Sequence, residues 1–439
     1  MLLLTFQICE SITAANFVKA MHTNRLIQPA MILVYLVLLI LISCGEGQTS
    51  QLMDRTSSHL SEAIDSILHT AVTDHVIPGA VVLISRDDQI IHHRAYGFAQ
   101  RYKYGMIPLD QPIQLTTLHR FDLASLTKVF ATTFALMILT DQQEVLLDEP
   151  AYRYLPDFRG ISKDSITVRH LLTHSAGLSP WKPTYYHASS PDEAYQYIRQ
   201  LPLAYPVGKE RHYSDLGFML LGYLIESVTG KPLDTYLSEA LFDPLGMKHT
   251  TFNPSPDGLP FAVTSHGNPF EKLMVDDDDF GYLCDEDPQA FTGWRNYVLT
   301  GEVNDGNAYH AHQGVAGHAG LFSIAAELQV LLQILLDGGV YSGHRFVSAE
   351  VIEKFLTKDA LGHGLGWAMS QDVLPVDNLP AGSFGHTGFT GTYVLGIPSL
   401  DLSIILLTNR QNLGTNQAGY YNSVTPLRKG LTELVLEDR

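Results

Sequence analysis

Ser125 and Lys128 stand three residues apart where Phe121-Asp122-Leu123-Ala124 gives way to a long apolar stretch. The pattern predicts a helix over Ser125 to Asp141. On a helix, residues i and i+3 share a face, so the hydroxyl and the amine would meet. Covalent catalysis by serine needs that pairing. A serine hydroxyl is a weak nucleophile, whereas an amine desolvated on an apolar face has a lowered pKa and can take its proton. Unpaired N–H groups at the helix start, at the positive end of its dipole, could hold an oxyanion. The chemistry implied is acyl transfer through a serine ester.

A Ser-x-x-Lys tetrad is common by chance, so the competing groups matter. Ser179-Pro180-Trp181-Lys182 has the same letters, but Pro180 and Pro183 favour a loop over the helix that would align the pair. Ser175, in Thr173-His174-Ser175-Ala176-Gly177, lacks the first glycine and preceding strand of a nucleophile elbow. Cys284 is followed by Asp285-Glu286-Asp287, and such anions suppress a thiolate. His310-x-His312 with His318 nearby has no following Asp, and no His-Glu-x-x-His helix exists, so no metal is expected. Asp276 to Asp279 lacks the glycine-centred ligand spacing of a calcium loop and reads as a solvated run. No cofactor is expected. A net charge of −18 with no basic cluster argues against nucleic acid as a partner.

The elements that would position Ser125 and Lys128 are sheet at both ends and helix between. Ala80 to Ile84 and Ile90 to Tyr96 flank the polar break Arg86 to Gln89, which predicts a hairpin. Gly391 to Ile397 and Leu402 to Leu407 flank Pro398-Ser399-Leu400-Asp401 in the same way. Helical patterning marks residues 52–74, Thr167 to Thr173, Pro191 to Leu201, Leu216 to Thr229, Leu233 to Leu241 and Ala325 to Asp337. Residues 254–315, rich in Asp, Gly, Asn and Pro, read as long loops. The expected fold is α+β: an antiparallel sheet built from both chain ends and flanked by helices, with a mostly helical inserted subdomain. Its sheet region covers 59–120 and 320–439, and its helical region 121–319.

At the N-terminus, Ala30 to Ile42 is an apolar run of 13 residues preceded by Arg25. That is too short for a bilayer span and right for an export signal. Leu41-Ile42-Ser43-Cys44 resembles the lipobox of bacterial lipoproteins, which implies lipidation at Cys44 and a chain exported and lipid-anchored to the cell envelope. Residues 1–43 would be the signal segment, 44–58 a tether and 59–439 one catalytic unit. Met21 is a second possible start. The chain holds Cys9, Cys44 and Cys284 alone, so no disulfide framework is expected.

The order of further motifs is more specific than any one of them. Leu171-Leu172-Thr173-His174-Ser175-Ala176-Gly177-Leu178 is followed by Tyr213-Ser214-Asp215, Pro244-Leu245-Gly246-Met247, Gly317-His318-Ala319-Gly320-Leu321-Phe322 and His386-Thr387-Gly388. Over roughly residues 60–410 the series resembles the serine β-lactamase and penicillin-binding protein superfamily, nearest its class C-like branch of low-molecular-weight penicillin-binding proteins and related esterases. Tyr420-x-Asn422 repeats the tyrosine motif out of order. The resemblance implies Ser125 as nucleophile, Lys128 and Tyr213 as general base and acid, and His386 in the triad beside the substrate strand. It also implies an oxyanion hole from the backbone N–H groups of Ser125 and Phe389, with Asp215, Thr387 and Gly388 contacting substrate. A phenol becomes a useful base when nearby positive charge favours its anion, and Lys128 would supply that charge.

Two departures bear on substrate. Asp215 stands where many members have Asn, and an ionised carboxylate cannot donate a hydrogen bond to an amide. His386 stands where lysine is frequent, so the fixed cation for a substrate carboxylate would be missing. The expected function is an exported serine hydrolase acting on an ester or amide, D-alanyl-D-alanine carboxypeptidase-like or esterase, with a peptidoglycan stem peptide among its possible substrates and at most weak β-lactamase activity. The alternative is a penicillin-binding sensor that acylates without turning over.

If Cys44 is the lipidation site, cells expressing the chain will incorporate labelled palmitate into it, and Cys44→Ser will abolish the label. Label retained in that variant would refute the assignment.

Overall fold

Strands from opposite ends of the chain meet in one sheet. The computed structural model describes residues 59–438 except 161–162, 278–279, 281–283, 371–373, 375 and 377. The expected signal segment, Cys44 and the tether lie outside the described residues. From the N-terminal side come β1 (Gly79–Arg86), β2 (Gln89–Lys103) and β3 (Ile107–Gln114), and from the C-terminal side β4 (Phe384–Thr387), β5 (Tyr393–Ile397) and β6 (Leu402–Thr408). The order is β3-β2-β1-β6-β5-β4, antiparallel throughout. Both expected hairpins, β1–β2 and β5–β6, are present, and β1 joins the halves by pairing with β6 from Ala80↔Thr408 to Arg86↔Leu402.

Both faces of the central strands are covered. Val81, Leu83, Val394, Ile405 and Leu407 enter the main core, against which α4 (Ala325–Leu336) packs. The alternate residues Val82, Ile84, Leu395, Ile404 and Leu406 are equally buried on the other face. There α5 (Thr425–Glu437) reaches the sheet through Thr432, 3.3 Å from the Tyr393 hydroxyl, and Gly430 of α5 faces Ile67 of α1 (residues 59–73). Two-sided burial explains why Ala80 to Ile84 reads as a continuous apolar run.

The inserted region holds α2 (Phe134–Asp141) and α3 (Asp215–Thr229), with further helices at Pro191–Gln200 and Leu233–Leu237. The expected helix over Ser125 to Asp141 is corrected at its start. Ser125 lies in a turn, helix begins at residue 126, and Lys128–Thr133 form wide π-type turns before α2. The turn arises because Ala124 adopts a left-handed conformation, φ 48°, which no helix accepts. Strand β3 had no sequence signal, because Pro108 and Pro112 interrupt it; proline is tolerated there because β3 is the sheet edge. Within the expected loops of 254–315, Pro269–Asp276 is helical.

Candidate active site

The turn carrying Ser125 is tied to the sheet edge. Asp122, fully buried, accepts the Ala124 N–H on Oδ1 (2.8 Å) and the Asn304 N–H on Oδ2 (2.6 Å). The first bond holds the left-handed Ala124; burial pushes the Asp122 carboxyl up to about 6 against these bonds. The carbonyls of Asp122 and Leu123 accept the hydroxyls of Thr390 (2.9 Å) and Thr392 (3.1 Å), in the turn after β4. Gly388 fits this contact by lacking a side chain: a Cβ there would lie 2.5 Å from the Leu123 carbonyl oxygen and 2.0 Å from Thr392 Oγ1. The result sets Ser125 and Phe389 along one cavity.

Lys128 is wholly buried and its ammonium has three close acceptors. Nζ donates to Ser125 Oγ at 3.0 Å and to the His318 carbonyl at 3.1 Å, and pairs with Asp215 Oδ1 at 2.7 Å. The His318 carbonyl comes this close because Gly317 is pressed on α3, where a Cβ would lie 2.1 Å from the Phe218 carbonyl oxygen. Burial alone would push the lysine down, but Asp215, joined by Tyr213, outweighs it and holds Lys128 above its ordinary value. The expected lowering by desolvation is opposed by the Asp215 carboxylate at 2.7 Å, and the net direction is upward.

Tyr213 immediately precedes Ser214, the N-cap of α3, whose Oγ accepts the Gly217 N–H (3.3 Å). The residue is 37% exposed and lines the cavity, with Lys128 Nζ 5.0 Å from its ring centroid. Burial raises its pKa above the ordinary phenol value, and Lys128 opposes this without overcoming it. The shift runs against the expected phenolate-favouring one, because burial, to which Asp215 adds, outweighs the lysine charge. Asp215, the first residue of α3, was expected to contact substrate; its carboxylate is committed to Lys128, although the residue still lines the cavity.

His386 lies on β4 with its ring 6.0 Å from that of Tyr213 and Nδ1 2.8 Å from the Thr387 carbonyl. Burial, aided by Lys128, pushes it down to about 3, so it is uncharged. Thr387, Gly388 and Phe389 line the same lobe of the cavity, about 380 Å³. That lobe does not lack positive charge: Arg211, Arg410 and Arg428 line it, none of which the sequence had marked. His174, quoted in a motif but given no role, stacks 4.5 Å from Tyr213 and accepts the Ser214 N–H on Nδ1 (3.0 Å). It fixes the phenol from behind. Across Ser125, a second lobe of about 480 Å³ is lined by Trp181, Phe270, Glu271 and Asp305 among others. His318 Nε2 lies 2.9 Å from Asp305 Oδ1, and burial with the Asp305 charge pushes Glu271 up to about 8. Among the described residues, neither the Ser125 nor the Phe389 N–H meets an acceptor. The assembly brings the Ser125 hydroxyl, the Lys128 ammonium, the Tyr213 ring and, among the described residues, two N–H groups without acceptors to one cavity.

The Beta-lactamase family model matches residues 64–423. An N-acetylmuramyl-L-alanine amidase of Bacillus subtilis (strain 168) is 32% identical, aligned over 92% of this chain and 89% of its own. A candidate D-alanyl-D-alanine carboxypeptidase of Escherichia coli (strain K12) is 34% identical over 76% of this chain and 78% of its own. Among solved structures, EstCE1, a hydrolase with promiscuous acyltransferase activity, shares the fold with a TM-score of 0.64 and 21% identity, covering 86% of this chain and 99% of its own.

Because the Gly388 contact is with backbone, Gly388→Ala is expected to slow acylation of Ser125 at least ~10-fold and lower the melting temperature by about 5 °C. Stopped-flow acylation and calorimetry check this; an unaltered acylation rate would show that the contact does not set the nucleophile's position.

Proposed function

The chain belongs to the Beta-lactamase family of serine hydrolases, and we propose that it hydrolyses an amide of a peptidoglycan-derived muramyl peptide through an ester on Ser125. The observation that carries this reading is the Lys128 ammonium bonded to Ser125 Oγ, with the Tyr213 ring 5.0 Å from Nζ, in a cavity shared with Phe389. The names of the amidase and carboxypeptidase relatives support an amide of that substrate class. Arg211, which lines the lobe beside Tyr213, supports a peptide carrying a carboxylate.

Ser125 Oγ bonds to the carbonyl carbon and an electron pair moves onto the carbonyl oxygen, which the N–H groups of Ser125 and Phe389 hold. Lys128 and Tyr213 are both protonated at rest, so the proton is relayed, not stored. Tyr213 accepts the Ser125 proton as it donates its own to the leaving nitrogen, and Lys128 stabilises the phenolate character that develops. The C–N bond breaks, and the amine leaves. Water then attacks the ester, its proton passing through Tyr213 back to Ser125 Oγ. Asp215 keeps Lys128 charged, while neutral His386 and Thr387 border the bound chain.

Intact-mass measurement after exposure to a fluorescent penicillin should show one adduct that Ser125→Ala loses. Turnover is compared on N-acetylmuramyl-L-alanyl-D-isoglutamine, diacetyl-L-lysyl-D-alanyl-D-alanine and a short-chain aryl ester. Hydrolysis of either peptide supports the proposal; ester turnover alone would make the protein an esterase, and a lasting adduct without turnover a wall sensor. Asp215→Asn removes the charge that raises both Lys128 and Tyr213, so the alkaline limb of the kcat/KM profile should move to lower pH and kcat fall roughly 10-fold. A limb that stays in place would refute the relay's dependence on Asp215.

A further inference from the structure

Arg410 and Arg428 are placed where, among the described residues, no carboxylate faces their charge. The chain holds 46 acidic against 28 basic residues, yet among the described residues no carboxylate pairs with either guanidinium. Their donors go to main-chain carbonyls instead. Arg410 Nε and Nη2 both donate to the Phe389 carbonyl, at 3.1 and 2.8 Å, and Nη1 to that of Asn422 at 2.9 Å. Arg428 Nη2 donates to the Thr392 carbonyl at 2.9 Å and more weakly to that of Gly388 at 3.4 Å, while its buried Nε has no hydrogen-bond partner among the described residues. Gly391 leaves room for the Arg410 stem, whose Cγ would lie 3.2 Å from a Cβ there. Two cations thus grip the turn of residues 388–392 from below.

That turn carries the vacant Phe389 N–H. The peptide unit of this N–H has the Gly388 carbonyl as its other end, so a guanidinium on that oxygen draws electron density from the unit and sharpens the N–H as a donor. The paired bonds on the Phe389 carbonyl fix the orientation of the residue. In a water-poor cleft an unneutralised charge acts over several ångströms and favours negative charge on the reacting carbonyl oxygen. A role confined to packing would be met by neutral donors, which avoid the cost of burying an unpaired charge.

We propose that Arg410 and Arg428 are positioning residues that orient and polarise the Phe389 N–H, so that this turn binds the transition state more tightly than the substrate. The inference rests on the Ser125 acyl-enzyme reading above. It differs from a carboxylate-binding role, which would act on substrate affinity and only on anionic substrates.

The test uses Arg410→Gln, Arg428→Gln and the corresponding lysine variants. Each is assayed with a neutral aryl ester and with an acylaminomethylboronic acid, whose tetrahedral adduct on Ser125 mimics the transition state. The glutamine variants are expected to lose at least ~10-fold in kcat with KM changed less than about threefold, and to bind the boronate more weakly by a similar factor. The lysine variants, retaining charge and most of the stem, should recover part of both and carry the comparison if a glutamine variant fails to fold. Unchanged boronate affinity beside a lowered kcat would overturn the proposal. So would losses that follow melting temperature alone, or that appear only as a raised KM for anionic substrates. A wild-type protein forming no boronate adduct on Ser125 would overturn this inference together with the proposed function, whereas an adduct unaffected by the arginines overturns the inference alone.

Discussion

Two threonine hydroxyls, those of Thr390 and Thr392, bond the carbonyls of Asp122 and Leu123 and so tie a strand-edge turn to a nucleophile turn far away in sequence. The rest of the site depends on this tie. It needs Gly388 to be bare of a side chain, it needs Asp122 buried to hold the left-handed Ala124, and it brings two unoccupied N–H groups to one cavity. The sheet earns its place by presenting that turn rigidly: β5 and β6 are buried on both faces, so the turn between β4 and β5 has little freedom to shift.

The electrostatics of the cluster run opposite to a desolvation argument taken alone. A buried lysine surrounded by carbon loses its proton; Lys128 is surrounded by oxygen, from Ser125, His318 and Asp215, and keeps it. Burial and the Asp215 carboxylate likewise raise the neighbouring phenol. In the proposed mechanism both groups are conduits for a proton in transit. Two further cations of the cleft, Arg410 and Arg428 beneath the 388–392 turn, pair with no carboxylate among the described residues and bond main-chain carbonyls.

What was readable in the sequence was what local periodicity and motif order can encode. The two hairpins, the helical middle and the series from Ser125 to His386 are of that kind, and the family followed from the series. The start of the helix at 126 was not readable, since nothing in Phe121 to Lys128 announces a left-handed alanine; it is imposed by Asp122 and a distant turn. The ion pair between Asp215 and Lys128 was not readable either, since only three-dimensional placement turns that carboxylate onto the lysine. Arg410 and Arg428 carry no motif. Their significance comes from the carbonyls they meet, which sequence spacing does not reveal.

The pairing of β1 with β6 has a consequence for how the molecule is made. Its partners are more than 300 residues apart, and the strands nearest the C-terminus complete the middle of the sheet. A growing chain therefore holds β1 as an apolar edge until the last strands arrive, and such edges are open to wrong partners. Contacts this remote in sequence are slow to form. On one flank of the waiting β1–β3 sheet lies β3 with its two prolines, a poor template for another chain, so the hazard is confined to the side that β6 will close.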